Sequence, residues 1–227
     1  MAPLVASIER SGRRAVALDR PGYGVTPGPA TVDEQAAWLV TACRSLDAGR
    51  VDLIGVSGGA TVALAALCAV PDAFGRVVLH EPLVGPLAPA LHAAIVESSA
   101  ELARDPSIDA LCAFIRRLVG ADTMERLDAG VIDGLVRAAA TVRAEVPSFA
   151  DFAPSTALLR RLTSNDVVTT VGGRREAPAR QEAAQVLADL AGAAVVVLEG
   201  AGHLAQVDDP DALADVMGAG ALSGGRS

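Results

Sequence analysis

The sequence predicts an α/β fold, in which a mostly parallel sheet is flanked by helices and interrupted by an all-helical insertion. Short apolar runs alternate with longer helical patterns, and this alternation is typical of parallel sheets. The runs are apolar throughout rather than alternating with polar residues, which suits strands that are buried on both faces. One long stretch departs from the alternation because its periodicity is helical from end to end.

Several short apolar runs are predicted to form the strands of this sheet. They lie at residues 15–19, 51–56, 76–80, 166–171 and 194–199. Helical periodicity predicts helices at residues 32–47, 57–70, 178–190 and 210–218. Pro178 and Pro210 lie at or near two of the predicted helix starts, where the missing N–H of proline does no harm.

The all-helical stretch covers residues 84–160. Its candidate helices run from Leu91 to Arg104, from Ser107 to Val119 and from Met124 to Val146. We therefore divide the chain into an α/β core, residues 1–83 and 161–227, and a helical lid, residues 84–160. Open α/β sheets bind their ligands at the carboxyl edge of the strands, so a lid over that edge would shape the binding pocket.

Composition narrows the class of protein. The chain has 227 residues, of which 51% are hydrophobic and 3% aromatic, and a net charge of −8. Its Arg residues are scattered, which argues against nucleic-acid binding, and its apolar runs are too short to span a membrane. The three Cys and three His show no metal-ligand spacing, and the first residues lack a secretory pattern. We expect a cytoplasmic, bacterial protein with a small-molecule substrate and no cofactor or metal; a homodimer remains open.

The strongest chemical motif is the Gly-Val-Ser-Gly-Gly run at residues 55–59. It follows a predicted strand directly and opens a predicted helix. Such a sharp turn holds its central residue, Ser57, in a strained conformation with the hydroxyl exposed. The N–H of Gly58 then points toward a bound carbonyl oxygen at the positive end of the helix dipole. The alternative, that Ser57 only caps the helix, is less favoured by this strand–turn–helix context.

A serine hydroxyl needs a base to become a good nucleophile. The chain has three His, and His203 follows the last predicted strand in a short loop flanked by glycines. From there it can reach Ser57. His92 lies in the predicted lid, and His80 ends a predicted strand, where a hydrogen-bonded core histidine is the commoner case. We therefore predict His203 as the base.

Three motifs resemble those of lidded α/β hydrolases. The Asp-Arg-Pro-Gly-Tyr-Gly run at residues 19–24 is similar to their D-x-P-G-x-G turn, residues 55–59 to their nucleophile elbow, and residues 200–211 to their histidine loop. Their order and spacing agree across nearly the whole chain. The resemblance implies the α/β-hydrolase fold, with Ser57 as nucleophile, His203 as general base and acid, and Gly58 as oxyanion-hole donor. Serine at the elbow argues against haloalkane dehalogenases and epoxide hydrolases, which use Asp there.

The acid of the triad has two candidates. The resemblance implies a carboxylate in the loop after the strand at 166–171, but Arg175 occupies the position usual for Asp and Glu176 comes one residue later. The alternative site on this fold is the end of the strand after the elbow helix, which is Glu81. A carboxylate there can hold the imidazole tautomer. The sequence favours Glu81, while Glu176 also suits a solvated position near a helix start.

The amino-terminal part of the chain differs from the pattern of lidded α/β hydrolases. The family carries a His-Gly oxyanion segment on a strand between those predicted here at 15–19 and 51–56, yet this chain opens with a helical pattern from Pro3 to Ser11. We expect either that the sequence is a fragment or that the two strands pair directly. In both cases one oxyanion donor is missing, and such a loss costs about 10²–10³ in rate.

Together these residues predict hydrolysis of an ester or related carbonyl compound through an acyl-enzyme. The aliphatic lid suggests a small to medium, largely apolar substrate. Two other functions stay open because fold and triad do not fix the reaction. One is a non-hydrolytic enzyme on this scaffold, such as a cyclase, a perhydrolase or a carbon–carbon lyase. The other is a non-catalytic binding module.

Overall fold

The computed structural model describes residues 1–28, 30–127, 129–174 and 177–219. Within these ranges the chain forms a sheet whose neighbouring strands are all parallel. In sheet order, which is also chain order, the strands are β1 (Val51–Val56), β2 (Phe74–His80), β3 (Val167–Gly172) and β4 (Ala194–Leu198). The carboxyl ends of all these strands therefore lie at one edge of the sheet.

Helices connect and cover the strands. In chain order they are α1 (Ala2–Arg10), α2 (Val32–Ser45), α3 (Gly58–Ala69), α4 (Pro89–Arg104), α5 (Ile108–Val119), α6 (Ala121–Arg126), α7 (Ala129–Arg137), α8 (Ala139–Glu145), α9 (Ser148–Asp151), α10 (Thr156–Arg161), α11 (Pro178–Ala191), α12 (Ala205–Asp208) and α13 (Pro210–Gly218). The helices predicted at 32–47, 57–70, 178–190 and 210–218 are confirmed as α2, α3, α11 and α13. None of the described helices is both long and apolar enough to cross a membrane.

The start of α2 follows from its sequence. Thr31 and Glu34 form a capping box, in which the Glu34 N–H donates to the Thr31 hydroxyl at 3.2 Å and the Thr31 N–H donates to the Glu34 carboxylate at 2.8 Å. Reciprocal bonds of this kind satisfy two N–H groups that have no partner within the helix. The helix then packs its buried face against α3, which is apolar all round and lies between α2 and the sheet.

The sheet separates two apolar clusters. Val77 and Leu79 of β2 belong to the cluster with α2, α3 and α11, whereas Val78 belongs to the one with α1 and α13. Side chains alternate between the two faces of a strand, so β2 contributes to both clusters. The continuously apolar pattern of the predicted strands is thus explained by helices on both faces of the sheet.

The block between β2 and β3 is helical, as predicted, but its third predicted helix is wrong. The pattern from Met124 to Val146 forms α6, α7 and α8 instead of one helix. The backbone of Leu127 is extended (φ −72°, ψ 126°) and ends α6, and Ala138 (φ −85°, ψ 9°) separates α7 from α8. Apolar periodicity continues across both breaks, so the pattern did not reveal them. That residues 84–160 act as a lid stays a prediction.

The strand predicted at 15–19 is also wrong. Residues 13–20 adopt no regular structure, and in the described sheet β1 is an edge strand that pairs only with β2. The apolar run suggested a buried strand, yet Val16 is 62% exposed and Leu18 37% exposed. A strand forms only where a neighbour supplies partners for its backbone groups, and no described ladder joins 15–19 to 51–56. Direct pairing of these two segments is therefore wrong as well.

Candidate active site

Ser57 occupies the sharp turn between β1 and α3. Its backbone lies at φ 54° and ψ −126°, an unfavourable region for a residue with a side chain. Gly55 makes the turn sterically feasible, because a Cβ there would lie 2.5 Å from the Cα of Ala60. A Cβ on Gly59 would meet no atom within 4 Å, so space alone does not require that glycine. The Ser57 side chain makes no helix-capping bond.

His203 lies in the loop that follows β4 and is 3% exposed. Its Nε2 lies 2.9 Å from the Oγ of Ser57, and its Nδ1 lies 2.6 Å from Oε2 of Glu81. The structure thus brings together three residues that the sequence singled out. Because Nδ1 faces a carboxylate it carries the proton, which leaves Nε2 free to accept the hydrogen of the serine hydroxyl.

Glu81 follows the last residue of β2 and is 2% exposed. Its backbone also has a positive φ, 45°, and its N–H donates to the carbonyl of Thr170 at 2.9 Å. Besides His203, its carboxylate contacts the N–H of Gly172 at 3.0 Å and forms an ion pair with Nε of Arg180 at 3.1 Å. Groups from β3, α11 and the loop after β4 therefore hold this carboxylate in place.

The other predicted acid, Glu176, lies outside the described residues, as does Arg175. Of the two predicted acids, Glu81 is the one that the structure describes, and it lies beside His203. Arg174, which directly precedes Arg175, forms ion pairs with Asp122 at 3.6 Å and with Asp208 at 3.4 Å.

Burial and charge set the protonation states of this group. Burial by itself would raise the pKa of Glu81, but the hydrogen bond and charge of His203 and the charge of Arg180 outweigh it and lower the pKa to about 2. Burial lowers the pKa of His203; the Glu81 hydrogen bond opposes this effect, and the positive charge of Arg180 adds to it. At neutral pH Glu81 is ionised and His203 is neutral, as a general base must be.

His80 is a fully buried histidine with both ring nitrogens partnered. Its Nδ1 lies 2.9 Å from the hydroxyl of Thr170 and its Nε2 lies 3.0 Å from the carbonyl of Gly202. Since a carbonyl only accepts, Nε2 carries the proton and Nδ1 accepts from Thr170. Burial lowers the pKa of His80 to about 4 against the opposing charge of Glu81. His80 is therefore a satisfied core histidine, as expected, and His92 is exposed on α4.

A second buried carboxylate, that of Asp208, anchors the loop before His203. It accepts from the N–H of Gly202 at 2.7 Å and from the hydroxyl of Thr123 at 2.8 Å, and it pairs with Arg126 and Arg174. Its side chain is fully buried. Asp208 thus ties the histidine loop to α6. Sequence reasoning missed this residue, although it belongs to the acidic segment of the histidine motif.

Gly58 is the first residue of α3, so its N–H has no acceptor within the helix. A Cβ at this position would lie 2.7 Å from Cζ of Phe149, which shows how closely that ring covers the turn. The role of Gly58 as oxyanion donor stays a prediction.

A cavity of about 710 Å³ opens over Ser57. Its wall from the helical block is mainly aliphatic and aromatic and includes Leu91, Ile95, Phe114, Ile115, Leu118 and Val142. The cavity also extends along the free edge of β1 to Val16 and Leu18. In the described ranges, no group of three or more His, Cys, Asp or Glu side chains is placed to hold a metal ion.

Arg20 contributes to the polar part of the cavity wall. Its guanidinium pairs with Glu145, donates to Gln35 at 2.6 Å and lies 4.7 Å from the ring of Tyr23. The Tyr23 hydroxyl donates to the same carboxylate at 2.6 Å. Burial would raise the pKa of Glu145, but the hydrogen bond and charge of Arg20 lower it. This network joins the turn at residues 19–24 to α8.

The sequence and the fold are similar to those of a known protein family. A model described as "Alpha/beta hydrolase family" matches residues 1–216. An esterase from Thermogutta terrifontis superposes with a TM-score of 0.72 at 22% identity, over 94% of this chain and 82% of that one. An enol-lactonase from Burkholderia xenovorans LB400 gives 0.71 at 24% identity, over 95% and 83%. A bromoperoxidase from Bacillus anthracis gives 0.75 at 16%, over 95% and 84%. No curated protein matches the chain in sequence. The predicted fold class is confirmed.

Proposed function

Because the chain belongs to the alpha/beta hydrolase family and is a hydrolase of that type, we propose that it cleaves an ester or related carbonyl substrate by nucleophilic catalysis. In this proposal Ser57 is the nucleophile, His203 the general base and acid, and Glu81 the acid that orients the imidazole. One observation carries the proposal: the contacts Ser57 Oγ to His203 Nε2 (2.9 Å) and His203 Nδ1 to Glu81 (2.6 Å) form one continuous chain.

The proposed reaction follows from this chain of contacts. As Oγ of Ser57 attacks the carbonyl carbon, Nε2 of His203 takes the hydroxyl proton. The negative carbonyl oxygen is stabilised by the N–H of Gly58 at the start of α3. His203 then gives its proton to the leaving alcohol, and an acyl-enzyme remains on Ser57. A water molecule repeats the sequence, with His203 again as base, and releases the acid.

The cavity supports an apolar substrate of small to medium size. Its lining beside Ser57 is dominated by aliphatic and aromatic side chains of α4, α5 and α8, which favour hydrocarbon acyl or alcohol groups. We propose that these helices, within residues 84–160, act as a lid that determines which substrates fit.

A fluorophosphonate, which reacts with activated serines, tests the proposal. We expect one adduct by intact mass in the wild-type chain and none in Ser57→Ala. Ser45→Ala is the matched control, because Ser45 is exposed and donates only to the carbonyl of Ala42, and it should keep the adduct. Circular dichroism establishes that all three proteins are folded.

A folded wild-type chain that forms no adduct would overturn the proposal and favour a binding module. An adduct that persists in Ser57→Ala would assign the nucleophile elsewhere. Product analysis with p-nitrophenyl esters would then separate simple hydrolysis from transfer to another acceptor.

A further inference from the structure

Arg180 is the third residue of α11, next to the buried end of Glu81. The amino-terminal turn of a helix carries partial positive charge, so a cation there is locally unfavourable. Arg180 is 19% exposed in its side chain, and its Nε lies 3.1 Å from Oε2 of Glu81. A nearby carboxylate offsets the unfavourable location, and in the described ranges Glu81 is the acid that pairs with Arg180.

Oε2 of Glu81 is shared between Arg180 and the imidazole of His203. It lies 2.6 Å from Nδ1 of His203 and 3.1 Å from Nε of Arg180, while Oε1 accepts the N–H of Gly172. The Gly172 contact fixes one oxygen and the Arg180 contact helps to fix the other. Rotation of the carboxylate away from His203 would break both of them.

Among the described residues, Nη1 of Arg180 is buried and has no hydrogen-bond partner. A desolvated cation acts strongly on nearby charges because little water screens it. The charge of Arg180 acts on Glu81, with which it pairs, and also on His203 and His80.

We propose that Arg180 is a positioning residue, which fixes the Glu81 carboxylate and keeps His203 in its neutral, proton-accepting form. This inference rests on the proposed function of Ser57, His203 and Glu81. Arg180 favours the ionised form of Glu81, which holds the imidazole in place, and it disfavours a second cation on His203. The second effect extends the range of the general base toward acid pH.

The other titratable groups around this pair do not substitute for Arg180. His80 lies beside Glu81 and is neutral at working pH, since burial lowers its pKa to about 4. Asp208 lies near His203 and acts in the opposite direction, because a negative charge favours the imidazolium. Arg180 is the cation that lowers the pKa of both Glu81 and His203, although burial is the largest influence on each.

The test compares Arg180→Met, Arg180→Lys and the control Arg160→Met, which removes an exposed charge from α10. The rate of fluorophosphonate labelling at Ser57 is measured from about pH 5 to pH 8. We expect Arg180→Met to lose about 10- to 100-fold, and the loss to grow as pH falls. Arg180→Lys should recover part of the rate and the wild-type pH dependence, and Arg160→Met should match the wild type.

A second readout does not depend on activity. In protein labelled with ¹⁵N-histidine, NMR should show that His203 takes up its proton at higher pH in Arg180→Met than in the wild type. A loss of labelling that is equal at every pH, or a titration of His203 that does not move, would overturn the proposal. If the wild-type chain fails to label at all, the proposed function fails, whereas the titration still decides the role of Arg180.

Discussion

The two sides of Ser57 are built differently. On the His203 side, Glu81, Asp208 and His80 are buried carboxylates and imidazoles whose partners come from several elements. On the other side, residues 13–20 adopt no regular structure, and Val16 and Leu18 line the cavity. There Arg13 pairs with Asp52 and donates to the carbonyl of Met217 at 3.0 Å.

This difference separates two requirements of a serine hydrolase. The acid–base half must hold its groups in fixed positions before the substrate arrives, and dense buried contacts supply that here. The oxyanion half needs N–H donors aimed at one point, and Gly58 is the donor that we propose at the elbow. Substitutions on the His203 side should therefore affect catalysis most. Substitutions on the other side should show how residues 13–20 pack.

The largest expected effect belongs to Glu81, the proposed acid of the triad. Glu81→Gln keeps the shape of the side chain but offers His203 an amide that no longer holds the imidazole tautomer. We expect kcat/KM for a p-nitrophenyl ester to fall about 10³- to 10⁴-fold, with the fold retained. Glu176→Gln is the matched control and should stay within a few-fold of the wild type. The opposite ranking would assign the acid to Glu176.

A site residue could be predicted from the sequence where its role is encoded in a few neighbouring residues. Ser57 and His203 were predicted from short motifs, because a strand–turn–helix elbow and a glycine-flanked loop are encoded in a few neighbouring residues. The position of Glu81 followed from where its strand ends. Arg180 carries no such signal, since its contact with Glu81 depends on how α11 packs against β3.

The same reasoning explains the two errors in the fold. The apolar run at 15–19 is as strand-like as the others, but a strand depends on the neighbour that pairs with it, and nothing in the run encodes that neighbour. In the segment from Met124 to Val146, apolar periodicity passes through the breaks around Leu127 and Ala138, where backbone angles rather than side-chain polarity change.

The next largest effect concerns the ion pair that connects the turn at residues 19–24 to α8. Arg20→Met leaves Glu145, whose side chain is 5% exposed, without its cation. Breaking one partner of a buried pair costs about 3–5 kcal/mol, and urea denaturation should show a loss of this size. The double variant Arg20→Met/Glu145→Gln should recover most of it, because no unpaired charge remains.

Arg117→Met is the control for this change, since Arg117 and Glu101 form an exposed pair. Exposed pairs contribute about 0–1 kcal/mol. If Arg20→Met were no more destabilising than Arg117→Met, the turn at residues 19–24 would not be anchored by its ion pair.

A smaller effect is expected from pH. In the proposed reaction His203 acts in its neutral form, and burial, opposed by Glu81, lowers its pKa below the ordinary 6.5. The value of kcat/KM should therefore stay level as pH falls through 6.5 and decline only below it. His80, with a pKa lowered to about 4 from 6.5, contributes stability above pH 6.5 that is lost as the pH falls toward 4. For activity, a midpoint of kcat/KM above pH 6.5 would contradict the neutral state assigned to His203.

The smallest expected effect tests the front side directly. Val16 is 62% exposed, whereas Val78 in β2 is fully buried. We expect Val16→Ala to change the free energy of unfolding by less than about 0.5 kcal/mol, and Val78→Ala to lower it by about 1.5–3 kcal/mol. Equal losses would mean that Val16 is as well buried in solution as Val78. The two sides of Ser57 would then be alike in packing.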